Sequence, residues 1–240
     1  MFKALQHSLL SLIYPQQCTI CSRQVIGLDG GVACAHCWAN THFFNGSEML
    51  CGKCGAFLGD AAAPSPVYCR KCDDHHYDGA IAVGIYENAL AASILNLKKV
   101  PHIPRRLKAV MTERIDSAAT ADLIVPIPLS RQRQHERGFN QAEIIAKALA
   151  QLTGITVDNS SLRRKLHTQA HRIGMDKRAR ELTVVNAFEV ARPRLIEGKT
   201  ILLVDDVFTS GSTASACAGV LKKKGAPRVN VFTLARAVMR

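Results

Sequence analysis

At 240 residues and 26.1 kDa, with 48% hydrophobic and 5% aromatic residues, the chain has enough apolar content for a folded core and room for one large domain or two smaller ones. This composition excludes an intrinsically disordered protein, and no apolar span approaches the ~20 residues that a membrane helix requires. The formal charge of +12 is lopsided: residues 1–79 carry five Lys/Arg against six Asp/Glu, whereas residues 80–240 carry 26 against 13. Any polyanion-binding surface is therefore expected in the second part.

At the N-terminus, Leu5, Leu9, Leu12 and Ile13 fall at helical spacing and predict a short amphipathic helix packed on the rest of the chain. Gln6, His7, Ser8 and Ser11 interrupt the apolar run, and no small-residue cleavage site follows, which argues against a signal peptide. A cytoplasmic protein without membrane insertion is expected.

Eight of the nine cysteines then form four Cys-x-x-Cys pairs, Cys18/Cys21, Cys34/Cys37, Cys51/Cys54 and Cys69/Cys72, separated by 12, 13 and 14 residues. Each pair can place two thiolates on one tetrahedral ion, so two pairs complete a Cys₄ site and four pairs predict two structural zinc ions in a double ribbon. Pairing in sequence order, first with second and third with fourth, is the expected arrangement, although the spacing also admits an interleaved one. A disulfide framework is the competing reading, and the regular two-residue gap and the absence of a secretory signal count against it. Residues 18–79 hold few large apolar side chains, so metal rather than core burial should stabilise them. His36, His75 and His76 are expected near the sites without being ligands. Cys217, within an alanine-rich helical run, is expected in the core.

After Gly79 strand and helix patterns alternate. Strands are predicted at 80–86, 123–126, 187–190, 200–204 and 229–234, and helices at 89–99, 105–118, 142–152 and 213–224. Alternation of this kind predicts an α/β fold with a mostly parallel sheet. The sequence thus divides into an N-terminal helix and double ribbon over 1–79 and an α/β domain over 80–240.

Three stretches of the second part carry chemistry. Ile201-Leu202-Leu203-Val204 reads as a buried strand that runs into Asp205-Asp206-Val207-Phe208-Thr209-Ser210-Gly211-Ser212-Thr213 and then into a helix. A helix N-terminus beyond a parallel strand suits a phosphate, and the two adjacent carboxylates suit neighbouring hydroxyls. Val125-Pro126-Ile127-Pro128-Leu129 also leaves a buried strand, and Arg131, Arg133 and Arg137 follow it, forks suited to phosphate oxygens. Residues 163–180 hold seven Lys/Arg and one acid, Asp176, with little apolar periodicity, as in a basic flap or a nucleic-acid surface.

The four cysteine pairs, Leu97-Lys98, Pro126-Ile127-Pro128-Leu129, Arg137-Gly138-Phe139-Asn140-Gln141, Thr168-Gln169, Asn186-Ala187-Phe188 and the 205–213 loop together make the chain resemble the ComF family. That family joins a double zinc ribbon to a type I phosphoribosyltransferase domain. The resemblance implies a sheet of that type flanked by helices and a site for phosphoribosyl pyrophosphate (PRPP) or a related ligand. By it, Asp205 and Asp206 hold the ribose hydroxyls and are the residues at the reacting end. Val207, Phe208, Thr209, Ser210, Gly211, Ser212 and Thr213 complete the PRPP site. Lys98, Ile127, Pro128, Leu129, Arg131 and Arg137 hold pyrophosphate with Mg²⁺. It further implies a role in natural transformation, with single-stranded DNA meeting Arg163, Arg164 and Lys165 and a competence helicase as protein partner. The alternative is an active Mg-dependent phosphoribosyltransferase of nucleotide or base metabolism, its acceptor unidentified. Two departures stand out: Leu182-Thr183-Val184-Val185-Asn186 replaces the usual Arg-x-x-Asn, and no base-binding hood is recognisable.

Overall fold

The computed structural model describes residues 16–26, 31–61, 63, 65–115, 120–165 and 187–238. The expected N-terminal helix, residues 166–180 of the basic segment and the Leu182–Asn186 departure lie outside these residues.

Each half of the ribbon is built the same way. A short antiparallel pair, β1 (Gln16–Gln17) with β2 (Gln24–Val25), carries Cys18 and Cys21, and a second pair, β3 (Met49–Leu50) with β4 (Phe57–Gly59), carries Cys51 and Cys54. In each turn the residue after the second cysteine is left-handed, Ser22 at φ 59° and Gly55 at φ 64°. Their N–H groups close the turns onto the carbonyls of Cys18 and Cys51 at 2.9 and 2.8 Å. The other two cysteine pairs do not sit in hairpins: Cys34 and Cys37 lie at the start of helix α1 (Ala35–Ala39), and Cys69 and Cys72 flank a 3₁₀ turn over Arg70–Cys72.

The larger part is a four-stranded parallel sheet whose strands are β5 (Gly79–Ile85), β6 (Leu123–Pro126), β9 (Thr200–Phe208) and β10 (Arg228–Arg236), ordered β5-β10-β9-β6. Four consecutive apolar residues, Ile201 to Val204, make β9 a strand buried on both faces. Ile201 and Leu203 point to one face with Val125, Val229 and Val231, while Leu202 and Val204 point to the other with Ile124, Phe232 and Leu234. Helices α2 (Asn88–Leu97), α3 (Arg105–Thr112) and α5 (Gln141–Thr153) cover the second of these faces; α6 (Ser212–Lys222) and a small hairpin of β7 (Leu162–Arg164) with β8 (Phe188–Val190) cover the first. Cys217 is fully buried on α6, as its setting predicted.

Two differences from the expected elements bear on the site. The central strand was expected to stop at Val204, yet β9 continues to Phe208, because β10 goes on pairing with it (Thr233 opposite Asp205, Ala235 opposite Val207, Arg236 opposite Phe208). The arginine-bearing turn contains a further short helix, α4 (Arg131–Arg137), capped by Ser130, whose hydroxyl accepts from the Arg133 N–H, and ended by Gly138 at φ 76°.

The ribbon is stitched to the sheet along the outer edge of β5. Ile85 N–H donates to His42 O at 3.0 Å, Phe44 N–H to Val83 O at 3.0 Å, and Ala80 N–H to Lys53 O at 2.7 Å, which satisfies backbone groups that an edge strand would otherwise leave open. Gly84 is required for this approach: a Cβ there would stand 2.3 Å from His42 O. The first ribbon packs Val25, Cys37 and Trp38 into the core on one face, and the second packs Cys51, Cys54, Cys72 and Tyr77 into the core on the other. Packing thus crosses residue 79 on both faces of the sheet.

Candidate ligand and metal sites

The cysteine sulfurs gather into two groups, Cys18/Cys21/Cys34/Cys37 and Cys51/Cys54/Cys69/Cys72, each with all four atoms within 4.8 Å of one another. This is the sequential pairing, and none of the nine cysteines forms a disulfide. Neighbouring sulfurs stand 3.5 to 3.7 Å apart. A tetrahedral Zn²⁺ with bonds of about 2.3 Å has sulfurs ~3.8 Å apart, so both groups fit the ion. Burial opposes ionisation of Cys18 and Cys51, but the surrounding backbone N–H groups, from Cys34, Cys21 and Ile20 in one case and Cys54, Cys69 and Lys53 in the other, outweigh it and bring both thiols down to about 6. Burial and the neighbouring sulfurs act the other way on their partners, pushing Cys54 up to about 11 and raising Cys37 and Cys72 further, so each cluster holds its first thiolate readily and a bound ion has to displace protons from the rest.

The second candidate site lies at the carboxyl end of β9. Beyond Val204 the strand keeps only β10 as neighbour, since β6 ends at Pro126 opposite Val204. Asp205 and Asp206 occupy this half-open stretch. The Asp206 N–H donates to Asp205 Oδ1 at 2.9 Å and the Val207 N–H to Asp206 Oδ1 at 2.8 Å, which orients both carboxylates. Lys98, following α2, brings its Nζ to 3.9 Å from Asp206 Oδ2. Burial and the neighbouring Asp206 charge push the Asp205 carboxyl up to about 7, against lowering by the Asp206 N–H and the positive Arg133.

The loop that follows turns at Gly211, φ 81°, directly before α6. Ser210 and Ser212 share a hydroxyl hydrogen bond of 2.5 Å, and Thr209 and Ser210 are exposed. A small cavity of about 50 Å³ lies between this loop and the sheet, lined by Asp205, Thr209, Gly211, Thr213 and Thr233 among others. The loop offers hydroxyls and helix-terminal N–H groups to an anion.

The side chains named from sequence divide by what they do. Lys98, Asp205, Asp206, Thr209, Gly211 and Thr213 come together around the end of β9. Val207 and Phe208, also expected among the ligand-binding residues, line the same cavity, and the Phe208 ring, 4% exposed, packs against Tyr77 and Arg236. Ile127, expected to meet pyrophosphate, commits its N–H to Val204 O at 2.8 Å and its carbonyl to the Asn140 amide at 3.0 Å, so its part is to fix the turn through Pro128 and Leu129. Arg131 is exposed on α4, and Arg137 donates to Gln141 at 2.8 Å. Arg133, one of the three arginines of that stretch and not singled out there, is the one whose charge reaches Asp205. Asn140 was also missed; it caps α5 through the Ala142 N–H and ties that helix to the Ile127 turn. Its place between a strand end and a helical pattern was the available signal. Of the basic triplet on β7 and just after it, Arg163 and Lys165 are exposed, whereas Arg164 lies over the Phe188 ring at 5.2 Å.

Residues 9–73 match the double zinc ribbon domain, and residues 93–238 match the phosphoribosyl transferase domain. Competence protein F of Haemophilus influenzae is 30% identical over 226 residues, covering 85% of this chain and 96% of that protein. The chain belongs to the competence protein F family. Among other relatives, the Escherichia coli DNA utilization protein YhgH is 27% identical across 95% of this chain and 100% of its own length. Competence protein ComFC of Bacillus subtilis is 34% identical over 116 residues, 48% of this chain and 45% of that one. The two matched domains follow the order of the folded parts, ribbon first and parallel sheet second. Among the described residues, no helix is long and apolar enough to cross a membrane.

Proposed function

We propose that this competence protein F family member binds PRPP, or a closely related phosphoribosyl ligand, at the end of β9 and serves the handling of single-stranded DNA during natural transformation. The observation that carries the ligand is the juxtaposition of two oriented carboxylates with a hydroxyl-lined loop at the head of α6. Asp205 and Asp206 accept from the ribose 2′- and 3′-hydroxyls, and Thr209 to Thr213 enclose the 5′-phosphate. Lys98, the Pro128–Leu129 turn, Arg131 and Arg137 meet pyrophosphate, with Arg133 added to this set by its reach to Asp205. Mg²⁺ accompanies the ligand, since a hard cation prefers phosphate and carboxylate oxygens.

The names of the relatives, competence protein and DNA utilization protein, support the DNA role. The excess of basic residues after position 79 supplies the electrostatic means, and Arg163 and Lys165 are its outward-facing members in the described hairpin. We place the protein in the cytoplasm, with residues 1–79 and 80–240 as its two functional parts and a helicase as the partner that delivers the strand.

Calorimetry with Mg²⁺ and PRPP tests the site. Replacing both Asp205 and Asp206 by Asn should weaken binding about 10²- to 10⁴-fold, since each charged hydrogen bond contributes about 1.5–3 kcal/mol. Unchanged affinity would show the ribose site to be misassigned. Pyrophosphate release with a panel of bases separates a binding protein from an active transferase: release that depends on one base establishes transfer.

A further inference from the structure

Two arms of side chains run from the second cysteine cluster to the loop before α6. One begins at Cys54. The Arg236 guanidinium donates to the Cys54 carbonyl and approaches its sulfur at 3.5 Å, and the same guanidinium lies 4.5 Å over the Phe208 ring. The other begins at Cys72, whose carbonyl accepts from the His75 N–H at 3.1 Å; the His75 ring is hydrogen-bonded to the Tyr77 hydroxyl at 2.6 Å, and the Tyr77 ring meets Phe208 edge-on at 5.7 Å. Both arms end at Gly211. A Cβ at that position would lie 2.7 Å from Phe208 Cζ and 3.1 Å from His75 Cε1, so the left-handed turn of the loop is seated directly on these two rings. The ribbon also reaches the following helix, where the His76 N–H donates to Ser215 Oγ at 3.0 Å.

Arg236 is the centre of this arrangement. It is 9% exposed, and a buried cation is costly unless an opposite charge faces it. Four thiolates around one Zn²⁺ carry a net charge of −2, and Arg236 touches this group through Cys54. Such outer partners orient ligands and are oriented by them in return. Removing the ion releases Cys54, leaves the cation without its counter-charge and frees Phe208, on which Gly211 rests.

We infer that the second Cys₄ site is part of the phosphate site, its metal fixing the 208–213 loop through Arg236, Phe208 and the His75–Tyr77 pair. The inference deepens the reading of that loop as a phosphate cradle. Arg236 is a positioning residue, since it acts on the loop through Phe208. Gly211 and the two rings allow one arrangement of the turn, and ligand bound there should in turn slow loss of the second zinc.

Hydrogen exchange of the full-length zinc-loaded chain tests this without any ligand. Cys69→Ser removes a zinc ligand that belongs to neither arm, and Cys21→Ser does the same in the first cluster. Cys69→Ser should speed amide exchange at 207–213 about tenfold while Cys21→Ser leaves it within about twofold, as expected if local opening is governed by the second site alone. Arg236→Met keeps all eight thiols; it should retain two zinc ions by elemental analysis and still raise exchange in the same peptides. Loop exchange unchanged in Arg236→Met, or raised equally by Cys21→Ser, overturns the inference. If Cys69→Ser exchanges faster throughout the chain, Arg236→Met decides the matter. Failure of PRPP to bind the wild-type chain would remove the ligand assignment and leave the exchange result standing.

Discussion

Asp205→Asn separates what the site costs the fold from what it gives the ligand. The folded carboxyl titrates at about 7 against an ordinary 3.8, chiefly because burial and Asp206 oppose its charge. A raised carboxyl favours the protonated form in the folded state, so its stabilising preference is fully present below pH 3.8 and is lost as pH rises through about 7. Linkage between these two values gives a destabilisation, relative to the fully protonated state, of about 2 kcal/mol at pH 5.5 and about 4 kcal/mol at pH 8. The asparagine variant has no such dependence. Its stability relative to wild type should therefore improve by about 2 kcal/mol between pH 5.5 and pH 8, or roughly 4–8 °C in Tm for a chain of this size. Thermal unfolding of the zinc-loaded protein at the two pH values, without ligand, measures it. A Tm difference between variant and wild type that stays flat from pH 5.5 to pH 8 would refute the argument. The same substitution should weaken PRPP binding, so stability and affinity move in opposite directions, as expected where a site holds like charges together for a ligand.

Asn140→Ala removes both the α5 cap and the donor to Ile127 O, and should lower stability by about 2–3 kcal/mol, read as a fall of about 5–10 °C in Tm. Arg163→Gln with Lys165→Gln should reduce the salt slope of single-stranded DNA binding by about 1.4 with little change in Tm. Arg164→Gln should lower Tm through the lost contact with Phe188, and an unchanged Tm would remove that contact as a stabilising one. Stripping zinc with a strong chelator should raise exchange at the outer edge of β5, residues 79–85, and promote self-association by light scattering; a monodisperse metal-free chain with that edge still protected would show that the ribbon holds to the sheet without metal.

Much of the fold was legible because its signals are local. Four Cys-x-x-Cys pairs, a run of four apolar residues ahead of two acids, and alternating strand and helix periods all survive in a single sequence. What escaped is non-local. Nothing in Asp205-Asp206-Val207-Phe208 marks it as strand; only Thr233 to Arg236 on the neighbouring strand make it one. Phe208 reads as a loop residue of the ligand site until its partners, Tyr77 from the ribbon and Arg236 from the last strand, are known. The helix over Arg131–Arg137 has no buried residue and hence no apolar period to find; its marks were the capping Ser130 and the closing Gly138. That Arg133 acts on the Asp205 charge depends on where α4 carries it, which no local pattern records.

The same non-local contacts bear on what the loop can hold. A ribose phosphate needs hydroxyl acceptors, hydroxyl donors and N–H groups, and the end of β9 supplies all three. A nucleobase would require a flat face to stack on as well. The rings beneath Gly211 are those of Phe208, 4% exposed, and half-buried His75, with Tyr77, 1% exposed, packed behind Phe208, and all three are engaged in supporting the turn. His75 and Tyr77 thus bring the second half of the ribbon beneath the 208–213 loop. Among the described residues, the groups around Asp205 and Asp206 are hydroxyl and anion partners, which suit the proposed sugar and its phosphate.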